Sequence, residues 1–385
     1  MPSGGVDLGR EIRTVPAVTV VRAEGDALSR GVSLGKQLAE PIAGSVAFYH
    51  RYLERRGVTS GDLQELLTPY LVAAETAYPD SMSMLKGMSI GATVPVMELF
   101  AINAFEELEP LLEHPEGEMA FLQRKDGYVA PPPSVTPRVE RCSSVSVSGP
   151  DGVLLAHNEQ WLAGDAGNVA VIVDVPADGR VPVVSPTVVC CLPAVGMNAH
   201  GSATGVGSLT ASDDGVGVPR VLVSRSALEA RDRSDAVARA AMPGRAGGYG
   251  HTYAMSSGDA FAVETSGKQH RLLERAGAHT NHYQSDLAEL APPPSEGSLA
   301  RLARLDGLLA ERNPRTPEAL MDIMRDHDST PQAICLHPDP DEGDEASACL
   351  FSMVVDVGAR RMWVALGNPC ESDYEAIDLE GLATS

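Results

Sequence analysis

Arg141-Cys142-Ser143-Ser144-Val145-Ser146-Val147-Ser148-Gly149-Pro150-Asp151-Gly152-Val153-Leu154-Leu155-Ala156-His157-Asn158-Glu159-Gln160-Trp161 is the stretch whose reading decides the fold. Valine-rich, alternating runs lie on either side of Pro150-Asp151-Gly152, the pattern of two antiparallel strands joined by a turn. The stretch follows 129–137, where Pro131, Pro132, Pro133 and Pro137 suit an extended, exposed linker that can be cut without unravelling a core. A cysteine at the first position of a strand, directly after such a linker, stands where an N-terminal nucleophile would stand. The plainer reading of Cys142 is a small core hydrophobe.

Upstream, the chain to about Pro110 reads as helix after an opening strand at 17–23. Leu34, Leu38, Ile42, Val46, Tyr49 and Leu53 recur every three or four residues and mark one apolar face across 29–55. Further helices are expected at 60–77, 80–92 and 96–107. Downstream, strands are expected at 143–148, 152–157, 169–175, 181–190 and 202–209, then helices at 220–229 and 234–241. Strands at 251–257, 260–265 and 270–274 precede helices at 298–309 and 317–325, and strands at 347–356 and 361–366 close the series. Strands and helices grouped in blocks imply α+β layering, sheets covered by helices.

A net charge of −22 argues against nucleic acid and anionic membrane as partners, because phosphate recognition needs clustered Lys and Arg. No apolar run approaches the about 18 residues of a membrane span. Residues 1–21 lack a basic cap followed by an apolar core, so no secretory signal is expected and a cytoplasmic location is. Six cysteines in 385 residues are too sparse for a disulfide framework, and none forms a CxxC pair with zinc-ligand spacing. No metal or cofactor is expected.

From Cys142 to Cys370 the chain resembles the isopenicillin-N acyltransferase family of autoproteolytic acyltransferases and hydrolases, a branch of the N-terminal-nucleophile (Ntn) hydrolases. Four stretches carry the resemblance: Arg141-Cys142-Ser143-Ser144; Asp151-Gly152 with His157-Asn158-Glu159-Gln160-Trp161; Gly196-Met197-Asn198 with Gly205; and Ala278-His279-Thr280-Asn281-His282. Gly217-Val218-Pro219, Glu264-Thr265 and Gly367-Asn368-Pro369-Cys370 add weaker support, as does Ile102-Asn103-Ala104 in a helical part similar to the family's α subunit. The resemblance implies a four-layer αββα sandwich of two antiparallel sheets. It also implies a precursor cut between Arg141 and Cys142 into an α chain (1–141) and a β chain (142–385) that form one composite domain.

In that reading the Cys142 thiol attacks the Arg141 carbonyl, and water resolves the thioester. The cut frees an α-amine whose reference pKa of ~7.7–8.0 lets it act as base for its own thiol. Asn281 matches the family's oxyanion amide, the kind of donor that lowers an acyl-transfer barrier by about 2.7–4 kcal/mol. Asn158 matches an asparagine that orients the Cys142 amine or the substrate. Ser144, Ser143 and Glu264 are supporting candidates. Gln160 stands where the penicillin enzyme has an aspartate, so that carboxylate is missing unless Glu159 serves instead, and no arginine stands near Ala346 where that enzyme has one.

The implied partner is a small acyl-amide or acyl-thioester substrate, acyl-CoA among them, with the penicillin substrate not carried across. The alternatives are a bile-salt-hydrolase or ceramidase-like amidase, against which only 4% aromatic residues speak, and a scaffold that kept the fold. His279 and His282 read as structural. Gly247-Gly248-Tyr249-Gly250 lacks the lysine of a phosphate loop and reads as a turn. Gly196-Met197-Asn198 also reads as a turn in the sheet. The acidic run 339–345 reads as a solvated loop, with the substrate mouth as its other possible place.

Overall fold

The computed structural model describes residues 17–112, 142–150, 152–328 and 330–379. Arg141, Asp151 and the whole of the expected linker at 129–137 lie outside the described residues. A strand, β1 (Val20–Gly25), leads into six helices: α1 (Ala27–Gln37), α2 (Ala39–Arg55), α3 (Ser60–Ala77), α4 (Pro79–Ala92), α5 (Val96–Asn103) and α6 (Phe105–Leu112). Local chemistry sets their starts. The Asp26 carboxylate accepts from the Ser29 amide, and Thr59 and Asp62 form a reciprocal capping box at α3.

The single helix expected over 29–55 is two, broken at Leu38. Pro41 stands in the first turn of α2, where its missing N–H costs nothing, whereas in a continuous helix its ring would collide with the carbonyl of Gln37. The helix expected at 96–107 also divides, at Ala104.

After Cys142 the chain builds two sheets. β2 (Ser143–Gly149), β3 (Gly152–Leu162), β11 (Gly277–His279), β12 (Ser347–Asp356), β13 (Arg361–Leu366) and β14 (Glu375–Asp378) form one, in the order β11-β2-β3-β12-β13-β14. The other runs β1-β4-β5-β6-β7-β8-β9-β10, from β4 (Val169–Pro176), β5 (Val183–Val188), β6 (Gly196–Asn198), β7 (Ser202–Leu209), β8 (Gly248–Met255), β9 (Ala260–Thr265) and β10 (His270–Leu273). Pairing is antiparallel throughout except that β1 joins β4 in parallel, in register from Val20 with Val171 to Gly25 with Pro176. That pair corrects the expectation of purely antiparallel sheets. Its cause is that β1 precedes the six helices and is joined to β4 by a long connection instead of a hairpin.

The sheets stack with β2 and β3 on β7 and β8. α7 (Arg220–Ala227) and α8 (Arg233–Ala240) cover β8 and β9, while α9 (Glu296–Arg312) and α10 (Pro317–Met324) cover β11, β3 and β12. The architecture is therefore α+β in four layers, helix-sheet-sheet-helix. A single core joins residues on both sides of the described gap, with Leu34, Leu67 and Phe100 packed in the same cluster as Val171, Leu350 and Val355.

Two turns expected from glycine are strand. Gly196-Met197-Asn198 is β6, and Gly248 and Gly250 belong to β8. Gly250 is there for close approach: a Cβ would lie 2.2 Å from the His279 ring, so only glycine lets that imidazole cross the strand. The acidic run ends against the first part of the chain, where Asp344 and Glu345 pair with Arg55, the last residue of α2, and Glu345 also with Arg56 just after it.

Candidate active site

Cys142 precedes the first residue of β2, and its side chain is buried between the sheets at 3% exposure. Its φ of +84° is a left-handed conformation that a residue with a Cβ adopts only under constraint. Strand alternation in β3 turns His157, Glu159 and Trp161 to the same face as Cys142. The thiol donates to Glu159 Oε1 at 3.3 Å, the other Glu159 oxygen lies 3.0 Å from His157 Nε2, and His157 Nδ1 lies 2.9 Å from Ser144 Oγ. Gly205 of β7 makes room for this chain: a Cβ there would stand 2.8 Å from Ser144 Oγ and 3.1 Å from the imidazole. Burial first, and the Glu159 charge second, push the Cys142 thiol well above its usual value, so the thiol is held protonated beside a carboxylate that can take the proton.

On the other side of Cys142 stands Arg301, from α9, 2% exposed. One guanidinium nitrogen donates to the Cys142 carbonyl oxygen at 2.6 Å and to Ser143 Oγ at 2.9 Å, and another donates to Asn281 Oδ1 at 2.8 Å. Asn281 follows β11. Its amide nitrogen donates to the Ser208 carbonyl at 3.3 Å, and its backbone N–H to Ser298 Oγ at 2.9 Å. Arg301 thus ties the strand that bears Cys142 to the turn that bears Asn281. Sequence reasoning missed it, although Ser298, Arg301, Leu305 and Leu308 share a helical face at spacings of three, four and three, and all are buried. A charged residue on a core-facing stripe was the available signal.

The even-numbered residues of β3 point the opposite way. Asn158 donates to the carbonyls of Met324 and Ile334 at 3.0 and 2.9 Å, and Gln160 donates to Ile334 at 2.8 Å. The expectation that Asn158 orients the Cys142 amine does not match this placement, because the period of two that brings Glu159 to the thiol turns its neighbours to the outer face. The carboxylate beside Cys142 is that of Glu159.

Glu264 of β9 serves the Asn281 turn. It accepts from His279 Nε2 at 2.9 Å and from the backbone N–H groups of Gln284 and Ser285 at 2.6 and 3.0 Å. Burial would raise its carboxyl, but these donors hold it below the usual value. His282 rests on Ser298 Oγ at 2.7 Å, so both histidines brace the turn around Asn281.

Cys142 and Glu159 line a pocket between the sheets and the helical segment. Its walls are largely apolar, from Ile102, Phe105, Val188, Leu192, Val195 and Phe351, with Glu106, Ser208 and Tyr249 as polar points. Glu106 accepts from Ser208 Oγ at 2.9 Å and Tyr249 Oη at 3.0 Å. No lysine or arginine lines the cavity among the described residues. Part of the wall comes from α5 and α6, and Asn103 locks it in place by donating to the Cys190 carbonyl at 2.9 Å and accepting from the Leu192 N–H at 2.9 Å. Phe105 stands edge-on to Tyr49, Tyr52 and Trp161, and the Trp161 indole donates to the Tyr49 hydroxyl.

Solved structures similar to this chain include penicillin V acylase from Agrobacterium tumefaciens, at 13% identity and a TM-score of 0.41 over 62% of this chain and 86% of that one. A mutant of conjugated bile acid hydrolase from Clostridium perfringens is similar at 10% identity and a TM-score of 0.37, over 63% and 94%. No curated protein matches the chain. A family model described as acyl-coenzyme A:6-aminopenicillanic acid acyl-transferase matches residues 147–371, a span that starts just beyond Cys142 and takes in Glu159, Asn281 and Arg301. The chain belongs to this acyltransferase family of Ntn hydrolases, whose chemistry is acyl transfer or amide hydrolysis.

Proposed function

We propose that this protein cuts its own backbone between Arg141 and Cys142 and then uses Cys142 as an N-terminal nucleophile on amide or thioester bonds of small acyl compounds. The observation that carries the reading is the Cys142 thiol, 3.3 Å from the Glu159 carboxylate on the wall of a largely apolar pocket, with its own carbonyl fixed by Arg301.

In the precursor, Sγ attacks the Arg141 carbonyl carbon. The thiol proton passes to Glu159 and on to the Cys142 nitrogen as the C–N bond breaks, leaving a thioester that water hydrolyses. The positive φ of Cys142 supports the first step, since a conformation of this kind costs about 1–3 kcal/mol that the open chain no longer bears. The freed α-amine then takes the thiol proton in each turnover. Arg301 and Asn281 are the polar groups that position Cys142 and meet charge developing at the substrate carbonyl.

The cavity favours an apolar acyl group. Among the described residues its walls carry two carboxylates and no lysine or arginine, which disfavours an anionic group next to the scissile bond, so an acyl-CoA would have to keep its phosphates outside. Denaturing electrophoresis tests the reading: wild type yields two fragments, the larger beginning at Cys142, while Cys142→Ala stays whole. An intact wild-type chain without thiol-dependent turnover on acyl-amides and acyl-thioesters leaves the non-catalytic scaffold instead.

A further inference from the structure

Away from the Cys142 cavity, a second set of soft donors converges where the segment after α10 meets the turn after β13. Cys335 Sγ and Cys370 Sγ lie 3.5 Å apart, and both thiols are free. His337 Nε2 lies 3.1 Å from Cys370 Sγ and 3.8 Å from Cys335 Sγ. The His327 ring stands edge-on to His337 with centroids 5.9 Å apart, and His327, His337 and Cys370 each bring one donor atom within 4.8 Å of the others. A tetrahedral ion with metal–sulfur bonds of about 2.3 Å and metal–nitrogen bonds of about 2.0–2.1 Å would separate two sulfurs by about 3.8 Å, and sulfur from nitrogen by about 3.6 Å. The three separations among Cys335, His337 and Cys370 lie within half an ångström of those values, and His327 stands near enough to His337 and Cys370 to close on an ion they hold.

The outer contacts are those of ligands held for a metal. His327 Nδ1 lies 3.2 Å from the Arg325 carbonyl, which leaves Nε2 of that ring for the cluster, and the Glu371 carboxylate lies 3.9 Å from His337 Nδ1, a charge contact longer than a hydrogen bond. A carboxylate or carbonyl behind the imidazole fixes tautomer and ring orientation in metal sites. Asn368 Nδ2 donates to Cys335 Sγ at 3.5 Å and to the Leu336 carbonyl at 2.7 Å, placing an N–H where a thiolate would need one.

We propose that Cys335, His337 and Cys370, with His327 in the fourth position, bind one zinc ion or a chemically similar divalent ion. Binding releases two thiol protons, and two thiolates with two neutral imidazoles balance the charge of the ion, which suits a half-buried place. Four protein ligands leave no open position, so the ion is structural. It fastens the segment whose Ile334 carbonyl holds Asn158 and Gln160, and so braces the outer face of the strand whose inner face presents Glu159.

Cobalt is the probe, used on the full chain carrying Cys142→Ala, because Cys142, His157 and Glu159 form another possible donor set. The expected result is a thiolate-to-cobalt charge-transfer absorption that saturates at one equivalent and is displaced by zinc. Cys370→Ser removes most of it, and His337→Gln, which deletes a ligand, weakens binding by more than the about 10–100-fold that losing an outer partner of a ligand costs. Alkylation footprinting gives a second reading that needs no further variant, with zinc shielding Cys335 and Cys370 together. An absorption that lacks the thiolate band, thiols that zinc does not shield, or a chain lighter by two hydrogens with Cys335 bonded to Cys370 overturns the proposal.

Discussion

Arg301 donates to the carbonyl oxygen of Cys142 at 2.6 Å, from a helix that begins more than 150 residues later in the chain. The same guanidinium holds Ser143 and Asn281, so its removal leaves several acceptors without their donor. Each charge-assisted bond of this kind contributes about 1.5–3 kcal/mol. Arg301→Met is expected to slow both self-cleavage and turnover by at least about 10-fold, with Arg301→Lys no better than partly restored, because an ammonium lacks the planar fork that spans two partners. Processing followed by gel, alongside kcat/KM on an acyl-amide, checks this.

Glu159→Gln separates proton transfer from packing. The amide fills the same space but cannot take the thiol proton, and loss of a general base at this point lowers rates by about 10²–10⁴-fold. The same change removes the negative charge that helps hold the Cys142 thiol high. Alkylation of Cys142 should therefore move to lower pH while processing slows. Both effects read in one preparation distinguish an electrostatic role from a merely structural one, which would leave the alkylation profile in place.

Stability should fall as the solution is acidified from neutrality. His251 is buried against Ser224 and beside Tyr253, and burial, with the Arg245 charge adding to it, pushes its imidazole from 6.5 down to about 3. Between those values the unfolded chain binds a proton that the folded chain refuses, so stability drops by about 1.4 kcal/mol per pH unit from this residue. Glu264 adds to the loss at lower pH, because its carboxyl is held below the ordinary value of 4.5 and its contribution vanishes once it is protonated. Urea unfolding at pH 7 and pH 5 should show the slope, and His251→Asn should flatten it.

Phe105→Ala tests the wall supplied by the first part of the chain. The ring is 2% exposed and touches Tyr49, Tyr52 and Trp161 edge-on, so truncation should cost about 3–5 kcal/mol. A lower urea midpoint together with a raised KM for apolar acyl groups is expected, since the same ring lines the cavity.

Much of this fold was legible because its signals are local. The helix expected at 60–77 is α3, and the strands expected at 347–356 and 361–366 are β12 and β13 to the residue. The break at Leu38 was less visible, since Pro41 is tolerated in a first turn and the apolar stripe runs through it. The parallel pairing of β1 and the pairing of β11 with β2 depend on partners distant in sequence, which periodicity does not report, while β6 and β14 are too short to show a period. At the site, Cys142 and Asn281 could be singled out from sequence. Asn158 belongs to a motif contiguous in sequence, whereas a strand presents only every second residue to one side. Cys335, His337 and Cys370 carried no spacing signal, because the turn that brings Cys370 to the other two is set by β12 and β13.

The ladder between β1 and β4 has a consequence for the history of the molecule. Residues 20–25 lie hydrogen-bonded to 171–176, one stretch from either side of the bond before Cys142. If that bond opens after folding, the two pieces stay zippered and behave as one body. Once unfolded, they must find each other by diffusion where the intact precursor needed only to fold back on itself. Refolding would then depend on concentration, and maturation would turn a reversible chain into one that is assembled once.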